Sequence, residues 1–149
     1  MRSIELAVST FALAGLLFGA LAMPARADEN YCSDSEARAA DQVVYTIGNW
    51  AQFRDFFEKY GGCDDGDVYE ELSDRASDLL ANQWDTLAKL NGQAANNPRY
   101  AKFVLSHINP TIMSERYPKI IDNATNHCPA DAADLCRQIA AAASAPPAP

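Results

Sequence analysis

The chain has 149 residues, with 12 basic and 20 acidic side chains and a formal net charge of −8 at pH 7. Such a surface repels phosphate backbones and anionic lipid headgroups, so nucleic acid and membrane are excluded as expected partners. The length suits one domain with one modest core.

Residues 1–27 read as a cleavable signal peptide. Arg2 is the basic start, the run from Leu6 to Met23 is the apolar middle, and Ala25-Arg26-Ala27 is the small-residue ending. That order predicts cleavage after Ala27 and export of the remainder to the periplasm or beyond. Ser9, Thr10 and two glycines dilute the run, which weighs against a retained membrane anchor. Cys32 follows Asp28-Glu29-Asn30-Tyr31 rather than a small-residue box, so a lipid anchor is not expected. The leader takes two basic residues (Arg2, Arg26) and one acidic residue (Glu5), leaving the exported form one unit more negative.

The exported part reads as helices throughout, with a folded domain over residues 28–143. Ser33 and Glu36 have capping-box spacing and open a first helix through Val43, Val44 and Ile47. Gly48 breaks it, and Asn49 caps a second helix from Trp50 to Tyr60, with Phe53, Phe56 and Phe57 at helical spacing. Gly61-Gly62 is expected to end that helix in a left-handed cap. A third helix opens at Asp65-Gly66-Asp67 and runs to about Asn91, with a bend near Asn82. Asn97-Pro98 starts a fourth, carrying Tyr100, Phe103, Val104 and Ile108 inward. Asn109-Pro110-Thr111 is a turn. A fifth helix follows Ser114, tolerating Pro118 near its start, and Pro129 ends it. Asp131 is expected to cap a last helix through Leu135, Ile139 and Ala143, and residues 144–149 form a disordered Ala/Pro tail by composition.

No period-2 alternation is long enough for a strand. The expected fold is all-α, a small bundle of about five or six helices stapled by two disulfides. Its expected core is Val44, Ile47, Trp50, Phe53, Phe57, Leu72, Leu79, Leu80, Trp84, Leu87, Phe103, Val104, Ile108, Ile120 and Leu135.

Four cysteines survive loss of the leader, and an even count in an exported chain implies disulfides. Zinc and haem are disfavoured because no C-x-x-C occurs. Of the three pairings, Cys32–Cys63 and Cys128–Cys136 are preferred, since each brackets one helical hairpin.

The acids Asp67, Glu70, Glu71, Asp74 and Asp78 fall on one narrow arc of the third helix, opposite its apolar positions. They are the candidate partner-binding residues: a solvated helix face at least, or a docking stripe for a basic protein. The sequence around Asp64-Asp65-Gly66-Asp67 lacks the alternating acids and distal glutamate of a calcium loop. His107 and His127 each end a helix, where an imidazole can bond free carbonyls. No Gly-x-Ser-x-Gly, His-Glu-x-x-His or phosphate-cradling loop is present, so no catalytic residue, metal or cofactor is expected.

Cys-Asp-Asp-Gly opening a helix, Leu-Leu-Ala-Asn-Gln-Trp, His-Ile-Asn-Pro-Thr, and Cys-Pro before a Leu-Cys helix resemble small uncharacterised exported helical proteins of Gram-negative bacteria. In size, export and disulfide-stapled helices the chain is also similar to periplasmic immunity proteins that neutralise type VI secretion amidases. That second resemblance implies a toxin-binding surface, often presented by a homodimer, and carries over no inhibitory residue. The expected function is an exported binding protein that neutralises or sequesters a protein partner, such as a basic cell-wall-active toxin. The alternatives are a small periplasmic hydrolase using carboxylates, or a structural or ligand-binding module.

Overall fold

The computed structural model describes residues 31–146, so the leader and the end of the tail lie outside the described residues. The described chain is all-α and stapled by two disulfides. Its helices are α1 (Asp34–Val44), α2 (Trp50–Tyr60), α3 (Gly66–Asn82), α4 (Leu87–Asn96), α5 (Pro98–Ser106), α6 (Tyr117–Asn126) and α7 (Ala133–Ala143). Short 3-10 turns precede α3, α4, α6 and α7.

Local chemistry sets most helix starts. Ser33 and Glu36 form a reciprocal capping box at α1. Asn49 Oδ1 accepts from the Ala51 and Gln52 amides, and Asn97 Oδ1 from the Tyr100 amide ahead of Pro98. α1 stops at Val44 because both the amide and the hydroxyl of Thr46 take the Val43 carbonyl. Ile47 is therefore buried from a loop rather than from the helix.

Three expected boundaries need correction. The long third helix is two helices. Gln83 leaves helical geometry (φ −128°, ψ 41°), and the 3-10 turn Trp84–Thr86 redirects the chain into α4. The Trp84 Nε1–H anchors that corner by donating to the His127 carbonyl at 2.9 Å. Gly61 is not a left-handed cap: it has φ −59° and continues into the 3-10 turn Gly61–Cys63. The left-handed glycine is Gly66, at φ +51°, where a Cβ would strain the entry to α3. Asp131 does not cap α7, whose N-cap is Ala132; its backbone carbonyl instead accepts from Asn91 Nδ2 at 2.9 Å.

α3 lies at the centre, packed on α1 along one side and α6 on another, while α7 closes over α6 and α5. Phe53, Phe56, Leu72, Leu90, Tyr100, Ile120 and Ile139 are sealed in the core. Burying an aliphatic or phenyl side chain of this kind contributes roughly 1.5–3 kcal/mol. Asn123, itself buried on α6, donates to the Leu80 and Ala81 carbonyls and so satisfies the C-terminal end of α3.

The disulfides join Cys32 to Cys63 and Cys128 to Cys136. The first ties the start of α1 to the turn after α2; the second locks the bend between α6 and α7.

Candidate functional site

The acidic arc of α3 is not one uniform surface. Asp67 and Glu70 are exposed. Glu71 is only 18% exposed and pairs with Arg75 on the same helix. Asp74 is 16% exposed and receives Arg116 Nη1 at 2.5 Å from the turn before α6. The same Nη1 also donates to the Asp74 carbonyl and to Ser77 Oγ. Asp78 accepts from Asn82 Nδ2 at 2.8 Å. The arc grades into the interior because the buried face of α3 is wide and includes Ser73 and Ser77 as well as the apolar residues. Asp74 thus ties α3 to the turn before α6, while Glu71 is paired within α3.

Neither histidine bonds a helix-end carbonyl through its ring. His127 is exposed, with Nε2 3.4 Å from Asp122 Oδ2. His107 is fully buried. Its ring lies among Phe53, Tyr69 and Phe103, with centroid separations of 6.0, 4.9 and 4.6 Å. Nδ1 is 3.3 Å from Ser73 Oγ, and Nε2 is 3.3 Å from Asp64 Oδ2. Ser73 Oγ also donates to the Tyr69 carbonyl at 2.9 Å. A hydroxyl has one hydrogen, so in this arrangement His107 Nδ1–H is the donor to Ser73. Ser73 is wholly enclosed, and its hydrogen is committed to a backbone carbonyl. Ser73 and His107 therefore join α3 to the end of α5 without presenting a nucleophile, and Asp64 of the 63–65 loop lies against the imidazole. Despite the short approach to Asp64, His107 Nε2 has no aligned hydrogen bond, and the buried Asp64 Oδ1 has none either.

Asp64 connects this interior to a cleft of about 720 Å³ between the end of α2 and α5. The volume lies in the range of small-molecule sites. Phe57 and Phe103 line it, together with the basic Lys59, Arg99 and Lys102 and the acidic Glu58 and Asp64. The rings of Phe57 and Phe103 are 5.0 Å apart, and Tyr100 and Phe53 support them from the interior. This corrects their expected place in the core: both are only partly buried because one side of each ring faces the cleft. Trp84, also expected inside, is only partly buried, with its indole N–H used at the corner before α4. Phe56, Leu90 and Tyr117 are among the buried core residues that the sequence reading did not place inside.

The cleft's basic residues lie on two helices separated by 37 residues of chain between Tyr60 and Pro98, too far apart to form a recognisable motif. One local signal exists. Arg99 and Lys102 have i,i+3 spacing, which puts them on one side of α5. Lys59 Nζ lies 4.9 Å from the Tyr60 ring centroid, and neither Lys59 nor Lys102 joins an ion pair among the described residues.

Among the described residues, no three His, Cys, Asp or Glu side chains are grouped to hold a metal, and no helix is long and apolar enough to cross a membrane. The chain matches no family model, no curated protein and no solved structure.

Proposed function

We propose that the chain is an exported binding protein that sequesters a protein partner, docking through the face that carries the cleft between α2 and α5. The observation behind this reading is the cleft itself: three cations and two aromatic rings converge there in a chain of net charge −8. The two disulfides fit an oxidising compartment, in keeping with the leader read from residues 1–27. Neutralisation of a cell-wall-active toxin is the form of sequestration that the resemblance to immunity proteins implies.

The acidic arc is a weaker docking surface, since pairing with Arg75 and Arg116 leaves only Asp67, Glu70 and the partly buried Asp78 without a cation among the described residues. Capture from a periplasmic extract of the source organism, followed by mass spectrometry, tests the assignment. A partner retained by the native chain should be lost with Lys102→Glu and kept with Glu70→Lys. Loss with Glu70→Lys and retention with Lys102→Glu would transfer the docking surface to α3.

A further inference from the structure

We infer that the segment Asp28-Glu29-Asn30 of this same chain folds back over the cleft between α2 and α5, as a built-in occupant that an incoming partner must displace. The inference goes beyond the docking assignment and needs no partner to be correct.

The first argument is where the segment begins. Asp28, Glu29 and Asn30 directly precede Tyr31. Tyr31 itself lines the cleft, as do Gly61, Gly62 and Asp64. Its neighbour Cys32 is bonded to Cys63, which sits between Gly62 and Asp64, and the two Cα atoms are 5.0 Å apart. The chain that enters α1 is therefore pinned covalently beside the cleft. Three residues reach at most about 10 Å from Tyr31, so the segment stays close to it. A tether this short gives an effective concentration on the order of millimolar, and contacts too weak to hold a separate peptide then suffice.

The second argument is charge. The two acids of the lining have their own neighbours. Glu58 accepts from Arg54 Nε at 2.7 Å, and Asp64 lies against His107 with Oδ1 buried. Lys59 and Lys102 are exposed and join no ion pair among the described residues. Asp28 and Glu29 bring two carboxylates to these two ammonium groups. Loss of the leader after Ala27 adds one α-amine, so the segment keeps a net negative charge. Exposed ion pairs are weak singly, which is why the tether decides the occupant. A second copy offering the same segment would approach without that tether, and against the like charge of a chain at −8.

The test uses the full chain, expressed with its leader and purified as exported. At low protein concentration it is treated with a carbodiimide, which joins a carboxylate to an amine in contact with it and adds no spacer. After reduction, peptide mapping of the monomer fraction should find Asp28 or Glu29 linked to Lys59 or Lys102. These links should be lost in Lys59→Gln/Lys102→Gln. Both lysines are exposed, so the variant should unfold at the native temperature. Nitrogen-15 correlation spectra give a readout that involves no trapping. Asp28→Asn/Glu29→Gln should shift the amide signals of Lys59, Gly62 and Lys102, and the lysine variant should shift those of Glu29 and Asn30. Absence of links, links only to other lysines, links only in a covalent dimer, or spectral shifts confined to the neighbours of each substitution would each overturn the inference. Partner capture that depends on Lys102 would survive such a failure, and failure to find any partner would leave the links and shifts in place.

Discussion

His107 and Asp64 meet at the boundary between core and cleft: the imidazole Nε2 is 3.3 Å from the carboxylate Oδ2, with the histidine fully enclosed and the aspartate partly exposed. The approach sets the end of α5 against the loop that follows Cys63 with no hydrogen bond at Nε2. That loop is fixed by the Cys32–Cys63 disulfide.

The ring orientation of His107 leads to a spectroscopic prediction. Because Ser73 Oγ gives its hydrogen to the Tyr69 carbonyl, Nδ1 should be the protonated nitrogen of His107. Nitrogen-15 correlation spectra of the imidazole should show an Nδ1–H with slow solvent exchange. In Ser73→Ala that protection should be lost. A protonated Nε2 with a bare Nδ1 would contradict the hydrogen-bond direction assigned to Ser73.

Removal of Arg116 should destabilise the fold by about 1–3 kcal/mol, because a part-buried carboxylate, a backbone carbonyl and a serine hydroxyl lose the same donor. Arg116→Ala and Asp74→Lys should both lower the urea midpoint measurably. Glu70→Gln, on the exposed part of the same arc, should leave it within about 0.5 kcal/mol. If Asp74→Lys left stability unchanged, Asp74 would belong with the solvent-facing charges.

The disulfides should contribute unequally. Cys32 and Cys63 are 31 residues apart, and Cys128 and Cys136 are 8 apart. In the chain-entropy model these closures stabilise by about 3–4 and roughly 2–3 kcal/mol respectively. Urea denaturation of Cys32→Ser/Cys63→Ser should therefore show the larger loss. The comparison also bears on binding, since only that pair abuts the cleft wall.

Stability should fall steeply in alkali. Burial pushes the Tyr117 phenol up to about 12 and raises that of Tyr100 as well. The folded state then holds protons that the unfolded chain releases near pH 10, so this stabilisation is fully present below about pH 10. It is lost as the pH rises through about 12. Thermal melts from neutral pH into this range should show the decline. Tyr100→Phe/Tyr117→Phe should flatten it, at a small cost from losing the 3.4 Å hydrogen bond of Tyr100 to the Trp50 carbonyl.

Much of the fold is local chemistry and is readable along the chain. The capping box at Ser33, the Asn49 and Asn97 caps, and the apolar spacing of α2 act within a few residues, so their outcome does not depend on distant partners. The cysteine pairing could be anticipated for a related reason: Cys32 and Cys63 flank the hairpin of α1 and α2, and Cys128 and Cys136 flank one bend, so each pair joins neighbouring stretches of chain. The division of α3 from α4 needed the indole of Trp84 to find the His127 carbonyl 43 residues away. The acidic arc shows the same dependence. Helical periodicity aligned its five carboxylates, but only the position of α6 determined that Arg116 would draw Asp74 inward. The cleft is entirely tertiary in origin. Lys59 and Phe57 on α2 acquire meaning beside Lys102 and Phe103 only when α5 packs alongside, because charge and apolar area act through distances that the order of residues does not contain.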